Sequence, residues 1–429
     1  MRSRRCVRSR VVTQADGTPN LQHGRCSGAL RAEGGNLGSR VVIKFGGADL
    51  ADGEKIQRAA RMVAEAPYKE MVVVVSAMGK TTDSLISTLA QLGGVDDSDY
   101  AEVISMGERT SARVFTAALR ARGVKAEVFD PANDNWPIIT DSNFRNAEPD
   151  IEKTAVLTRK FVAPLLGKSV PVVCGFLGKD AEGRVTTLGR GGSDTTALLL
   201  AHCLNVDEII LVKETSGVLS ADPKIVPDAK PLSKLDIHEM FDLAQGGAKI
   251  VKAEALKYKL PSQKLRIVDF SSGSLATGGT EITGSFAINS AEMHSQEGLL
   301  AINVVCDVNT ENLRKIFQTL SRNPVYGVSS GRKSVTVFTS DGNVRELINR
   351  LHQVEGVKAI SHRENVALLQ ISHPDFVDSP GGVAKISNAL SREGINIIEI
   401  TTSKATINVF IEENQLKRAK EAISNAFKT

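Results

Sequence analysis

The chain predicts an α/β fold: a mainly parallel sheet sandwiched by helices, followed by a smaller region of tandem α+β units. Three observations carry this. From residue 40 onward, short continuous Val/Ile runs alternate with helical stretches, and such runs mark strands buried on both faces. Glycine-bearing motifs follow these runs directly, at the C-terminal strand ends where ligands bind in such sheets. Beyond about Glu297 the texture changes to two weak strand–helix repeats of about 65 residues.

In order, the strands are expected at Arg40–Phe45, Met71–Ser76, Val124–Phe129, Val170–Phe176, Glu208–Lys213 and Lys264–Asp269. Helical periodicity occupies 52–66, 82–92, 100–122, 150–166 and 192–204. A Gly/Ser/Thr-rich stretch from Ser271 to Ser285 closes the unit. The first repeat then reads strand Gly298–Cys306, helix Asn309–Arg322, strand Ser334–Thr339 and helix Asn343–Val354. The second reads Val366–Ile371, Val383–Arg392, Thr406–Ile411 and Gln415–Phe427. The expected organisation is therefore an extension over 1–39, an α/β domain over 40–290 and a tandem α+β region over 297–429.

Composition bounds the class. With 429 residues, 41% of them hydrophobic, the chain fills two or three domains. No apolar run approaches the roughly 18–20 residues that span a bilayer. Five scattered cysteines (Cys6, Cys26, Cys174, Cys203, Cys306) form neither a disulfide framework nor a C-x-x-C pattern, so a reducing cytoplasm is expected. The net charge of +4 is local: residues 1–40 hold eight Arg and two acids, a sum of +6, leaving −2 for the rest. Neither a nucleic-acid nor a membrane partner is implied. The extension lacks an apolar core segment, so it is no secretory signal; it reads as a disordered appendage, translated from an upstream start.

Two motifs carry chemistry. Thr187-Leu188-Gly189-Arg190-Gly191-Gly192-Ser193-Asp194-Thr195-Thr196-Ala197 is a glycine loop opening into a helix. Helix starts offer unpaired N–H donors to anions, and an Arg grips carboxylate or phosphate in two-pronged fashion. Ser193 or Asp194 is expected to cap that helix; a plain turn plus cap would carry the same signature. Val41-Val42-Ile43-Lys44-Phe45-Gly46-Gly47-Ala48-Asp49 is a strand running into a glycine turn, with a lysine able to neutralise phosphate oxygens. The lysine precedes the glycines, so this is not the P-loop. No Ser-His-Asp pattern appears, and the seven His lack metal-ligand spacing, so no protein-bound metal is expected.

Lys44-Phe45-Gly46-Gly47, Val75-Ser76-Ala77-Met78, Gly107-Glu108, Gly175-Phe176-Leu177-Gly178 and the Leu188–Asp194 loop resemble, in order and rough spacing, the amino-acid kinase superfamily and within it the aspartate kinases. The resemblance runs from about Arg40 to the C-terminus. It implies an amino-acid-kinase-type sheet followed by regulatory ACT modules (βαββαβ). It also implies ATP with phosphate-bound Mg2+, L-aspartate as substrate, and formation of 4-phospho-L-aspartate for lysine, threonine and methionine synthesis.

By the same resemblance and the chemistry of the groups, Lys44 neutralises the transferring phosphoryl group while Gly46 and Gly47 donate backbone N–H groups. Arg190 pairs with the α-carboxylate of aspartate and Glu108 with its ammonium. Ser76, Thr82 and Ser193 add hydrogen bonds, and Asp194 assists the ammonium or organises the loop. Glu108, read as lying at a helix start, suits the helix dipole equally well, Ser76 and Thr82 suit helix caps, and Phe176 suits the core.

The nucleotide side departs from the family's Thr-Asp-x-x-Gly-Val-Tyr-x-x-Asp-Pro-Arg. Here Lys213-Glu214 replace Thr-Asp, Leu219 replaces Tyr and Lys224 replaces Arg. Lys213 resembles the uridylate and acetylglutamate kinase branches. Lys249 matches a nucleotide-side lysine, but Val251-Lys252-Ala253 stands where the family usually has Leu-His-Pro.

In the second repeat, Asp378, Ser379 and Gly381 before the helix, and Asn396 and Ile397 after it, match turns that flank an amino-acid effector in ACT modules; lysine or threonine is the expected effector. The first repeat, with Asn309-Thr310-Glu311-Asn312, lacks the Pro-Gly turn. ACT modules imply a homodimer or higher homo-oligomer. Besides the aspartate kinase reading, the residues leave open another enzyme of the superfamily and a non-catalytic amino-acid sensor.

Overall fold

The computed structural model describes residues 40–248, 250–286, 292–373, 376 and 380–427. The extension over 1–39 lies outside the described residues.

The larger sheet is built on the Val/Ile runs. It contains β1 (Arg40–Phe45), β2 (Glu70–Val75), β3 (Ala126–Phe129), β4 (Val170–Cys174), β7 (Glu208–Lys213), β8 (Lys234–Asp236), β9 (Lys264–Asp269) and β10 (Thr280–Thr283), in the order β3-β4-β2-β1-β7-β9-β10-β8. Every pairing is parallel except β9 with β10. A hairpin of β5 (Leu177–Lys179) and β6 (Val185–Thr187) stands apart.

The helices are α1 (Gly53–Ala64), α2 (Thr81–Leu92), α3 (Asp97–Ala121), α4 (Ile151–Phe161), α5 (Gly192–Leu204) and α6 (Ile237–Gln245). Strand alternation on β1 decides which group faces which helix. Phe45 meets Phe115 of α3, with ring centroids 5.5 Å apart, while Lys44 meets Asp194 in the first turn of α5. Helix α5 is buried at Ala197, Leu198, Leu199, Leu200 and Ala201 in succession, because it lies between the sheet and α4.

Four short strands escaped the sequence reading: β5, β6, β8 and β10. Each has three or four residues, too few to show a period. Strand β10 and the Gly/Ser/Thr-rich stretch before it are tied to the core by Arg266. Its guanidinium is 2.5 Å from Glu208 and donates to Leu275 O at 2.7 Å and Gly278 O at 3.1 Å. Tyr68 donates to the other Glu208 oxygen at 2.8 Å.

The C-terminal sheet has six strands in the order β12-β13-β11-β14-β16-β15. These are β11 (Glu292–Cys306), β12 (Val325–Ser330), β13 (Ser334–Thr339), β14 (Val357–Ser372), β15 (Glu399–Ser403) and β16 (Thr406–Glu412). Helices α7 (Thr310–Thr319) and α8 (Val344–His352) cover one half, and α9 (Gly382–Arg392) and α10 (Leu416–Phe427) the other. Strands β12 and β15 are additions to the sequence reading, and β11 begins at Glu292 rather than Gly298. The Glu292–Gln296 stretch is polar but pairs with Leu368–Ser372, so residues ahead of the first repeat complete the second half.

Phe338 on β13 and Phe410 on β16 are three strand positions apart, roughly 14 Å in a flat sheet. Their rings nevertheless stack at 3.6 Å. The sheet therefore folds over on itself, helped by register shifts near Gln296, Leu299 and Ala301 on β11, and encloses Leu299, Val366 and Leu368 as a separate core. The β15–β16 turn also reaches α6: Lys404 Nζ donates to Asp242 O, and Ala405 joins the core of the larger sheet.

Among the described residues, no helix is long and apolar enough to cross a membrane. Replacing Arg266 by Met leaves Glu208 charged and buried, so a loss of about 3–5 kcal/mol is expected in denaturant unfolding. The double variant Arg266→Met/Glu208→Leu is expected to regain most of it.

Candidate active site

A cleft of about 710 Å³ opens at the C-terminal ends of β1, β2 and β7, against the first turn of α5. Its lining includes Lys44, Gly47, Ser76, Thr82, Glu108, Arg190, Ser193, Asp194 and Lys213. Nine residues expected from sequence thus meet in one place.

Asp194 is the centre. Its Oδ1 lies 2.7 Å from Lys44 Nζ, and its Oδ2 accepts from Lys213 Nζ at 3.4 Å and from the Lys252 backbone amide at 3.3 Å. Burial alone would raise this carboxyl; Lys213, Lys44 and the Lys252 amide outweigh it and hold it at about 2. Burial in turn lowers Lys213 to about 8, against the attraction of Asp194. The expected side-chain cap on α5 is not formed. Gly191, at φ +74°, takes the N-cap position and has no side chain to bond, while Ser193 and Asp194 fall inside the first turn, Asp194 turned to the lysines and Ser193 packed against Gly175.

The Lys44 turn is pinned by contact. A Cβ on Gly47 would lie 2.8 Å from Ala77 O, so only glycine allows this approach to the Ala77–Gly79 segment. Gly46 serves differently from expectation: its N–H donates to Asp49 Oδ2 at 2.9 Å, so it is withdrawn from the phosphate cradle. Asp49 is itself buried, and burial pushes it up to about 6 against the Gly46 amide and Lys44. Sequence reasoning missed Asp49, although an Asp three residues beyond a turn glycine is a recognisable backbone acceptor.

Glu108 lies in the middle of α3, not at a helix start, which removes the dipole explanation. Its Oε1 accepts the Ala77 amide at 3.1 Å, and burial pushes it up to about 7. It reaches the cleft from the helix layer rather than from a strand end. Helix α2 has Lys80 as N-cap with no side-chain bond, so neither Ser76 nor Thr82 caps it. Phe176 faces the cleft in the left-handed region (φ +69°), its amide held by Thr196 Oγ1 at 3.0 Å.

Arg190 is exposed and, among the described residues, has no ion pair or side-chain hydrogen bond. Glu214 is outside the lining and pairs with Lys55 at 2.6 Å; Lys224 is exposed and also outside it. Lys249 lies outside the described residues, as do Asp378 and Ser379; Gly381 is the left-handed N-cap of α9, Asn396 is exposed and Ile397 packs on the second-half core.

Lysines on neighbouring strands converging on a helix start form a receptor for a polyanion. Residues 39–269 match the amino acid kinase family, and residues 361–425 match the ACT domain. The chain belongs to the amino acid kinase family. Within it the relatives are aspartokinases: that of Pseudomonas aeruginosa is 31% identical over 408 residues, covering 90% of this chain and 97% of that one. Aspartate kinase from Synechocystis has the same fold (TM-score 0.69, 24% identity, 91% of this chain and 70% of that chain). So does E. coli aspartokinase III, solved in complex with aspartate and ADP in an R-state (TM-score 0.54, 22% identity, 90% and 99%). A T-state of that enzyme holds lysine and aspartate (TM-score 0.52, 22% identity, 90% and 98%).

Glu108 yields a test of its environment. With a folded pKa of about 7 against 4.5 in the unfolded chain, its contribution to stability is present below 4.5 and lost as pH rises through 7. Glu108→Gln stays neutral, so it is expected to be more stable than the parent at pH 8, by at most roughly 3 kcal/mol, and equal to it at pH 4. Thermal unfolding across that range reads the difference.

Proposed function

We propose that the chain is an ATP-dependent aspartate kinase, forming 4-phospho-L-aspartate and ADP. The observation that carries the reading is the Lys44–Asp194–Lys213 cluster in one cleft with Arg190 and Glu108, in a chain whose relatives are aspartokinases.

In this reading a β-carboxylate oxygen of aspartate attacks the γ-phosphorus, and the bond to the β–γ bridging oxygen breaks with its electron pair leaving on ADP. The nucleophile is already ionised at neutral pH, so no general base is required; positioning and charge neutralisation do the work. Lys44 and Lys213 neutralise the phosphoryl oxygens, the Gly47 amide adds a donor, and Asp194 holds both ammonium groups on target. Arg190 takes the α-carboxylate, Glu108 the ammonium, and Ser76, Thr82 and Ser193 complete the substrate shell. The reading has Mg2+ carried on the phosphates, adding charge neutralisation there. Lys224 and Glu214 belong to the nucleotide's outer edge, with Lys249 as a further contact.

The ACT match supports amino-acid feedback through the second half, at Gly381, Asn396 and Ile397 with Asp378 and Ser379. A homodimer or higher homo-oligomer in the cytoplasm completes the proposal. Lys213 favours one other reading, a carboxylate or nucleotide kinase with another acceptor.

Hydroxylamine trapping with Mg-ATP decides between them: hydroxamate is expected with aspartate and not with glutamate or acetylglutamate, and no ADP release with UMP. Arg190→Ala is expected to raise the aspartate KM a hundredfold or more, with the ATP KM nearly unchanged. For the free enzyme, kcat/KM for aspartate should rise through pH 7 as Glu108 ionises and fall above 8 as Lys213 loses its proton. Lysine or threonine should lower the rate, and Asn396→Ala should raise the half-inhibiting concentration about tenfold in the same assay.

A further inference from the structure

The loop that carries Arg190 is shaped by glycine conformations and not by a side-chain cap of its own. It contains two left-handed glycines, Gly189 (φ +70°) and Gly191 (φ +74°), and no side-chain cap where it enters α5. Arg190 itself makes no side-chain bond among the described residues that could aim it. The direction of the guanidinium therefore depends on what holds the backbone of the loop.

One residue touches that loop at its beginning, middle and end. Lys252 Nζ donates to Leu188 O at 2.9 Å. Its stem occupies the space a side chain at 191 would need: Cβ, Cγ and Cδ lie 2.8, 3.3 and 3.4 Å from an ideal Cβ built on Gly191. Its backbone amide donates to Asp194 Oδ2 at 3.3 Å. Lys252 follows Ile250 and Val251 in the cleft wall and replaces the histidine of the family's usual Leu-His-Pro.

We propose that Lys252 is a positioning residue for phosphoryl transfer: by spanning the Leu188–Asp194 loop it aims Arg190 at the acceptor and keeps Asp194 between the two lysines. It acts through the loop and on the acceptor side, not as a phosphate contact. This rests on the aspartate kinase reading.

The test uses the full chain and three variants. Lys252→Met keeps the stem and the amide and removes the ammonium with its bond to Leu188 O. Lys252→Ala removes the stem as well, and Lys252→Arg keeps a donor. Lys252→Met is expected to raise the aspartate KM about fivefold and Lys252→Ala about thirtyfold, with the ATP KM within about twofold, and Lys252→Arg to restore most of the loss. A rise in the ATP KM instead, or equal losses for Met and Arg, would overturn the proposal.

Hydrogen exchange of the unliganded protein over residues 187–197 gives a second reading that needs no acceptor. Lys252→Met is expected to exchange about tenfold faster there than the parent, with the rest of α5 unchanged. Unchanged exchange would overturn the clamp whatever the substrate. Absence of aspartyl hydroxamate from the parent enzyme would overturn the functional reading alone.

Discussion

Asp194 places a full negative charge at the head of a helix whose other faces are apolar and enclosed. Such a charge is tolerated in a dry interior only when it is met by opposite charge and hydrogen bonds, and Lys44, Lys213 and the Lys252 amide supply both. The constraint works outward. It fixes the register between β1, β7 and α5, and it ties the wall segment at Lys252 to the loop that carries Arg190. It also holds two ammonium groups on one carboxylate, Lys44 at 2.7 Å from Oδ1 and Lys213 at 3.4 Å from Oδ2. The arrangement is preorganised in the sense that catalysis of group transfer requires.

Around that centre, carboxyls subject to the same burial are tuned in opposite directions by the groups that meet them. Glu108 and Asp49 are raised because desolvation outweighs what favours their charged forms, for Asp49 the Gly46 amide, Lys44 and Lys213, whereas Asp194 is lowered because two directly paired lysines and the Lys252 amide outweigh it. The contrast separates roles. A carboxyl sitting near neutrality in a substrate cleft awaits a cation, which an amino-acid ammonium would be; one held near 2 is a permanent strut.

The C-terminal region shows a different economy. Its long strands β11 and β14 pair along their whole length, so each half borrows a strand segment from beyond its own repeat. Folding the sheet over the Phe338–Phe410 stack turns two small units, each with a thin helical layer, into one body with three cores. Its β15–β16 turn touches α6, the helix that precedes the Ile250–Lys252 wall of the cleft.

Much of this was legible in the chain. Val/Ile-rich runs identify β1, β2, β4, β7 and β9, because a strand buried on both faces needs apolar residues at most positions; buried Lys44 and Arg266 are exceptions, each met by a carboxylate. The glycine loops at Lys44 and Arg190 announce anion chemistry through local backbone geometry. What failed was whatever local sequence does not encode. Glu292–Gln296 is polar and becomes a strand only because Leu368–Ser372 lies beside it. Gly46 loses its amide to Asp49, and Ser193 and Asp194 forgo the cap. Lys252 meets Asp194 across 58 residues and Lys213 across 19, contacts that no spacing rule predicts. Sequence alone determined the family of fold, the motifs and the kinds of group that would line a cleft, since these follow from period, glycine placement and side-chain chemistry. Only the tertiary structure decided which charge neutralises which, because desolvation and pairing depend on distances through space that the order of residues does not contain.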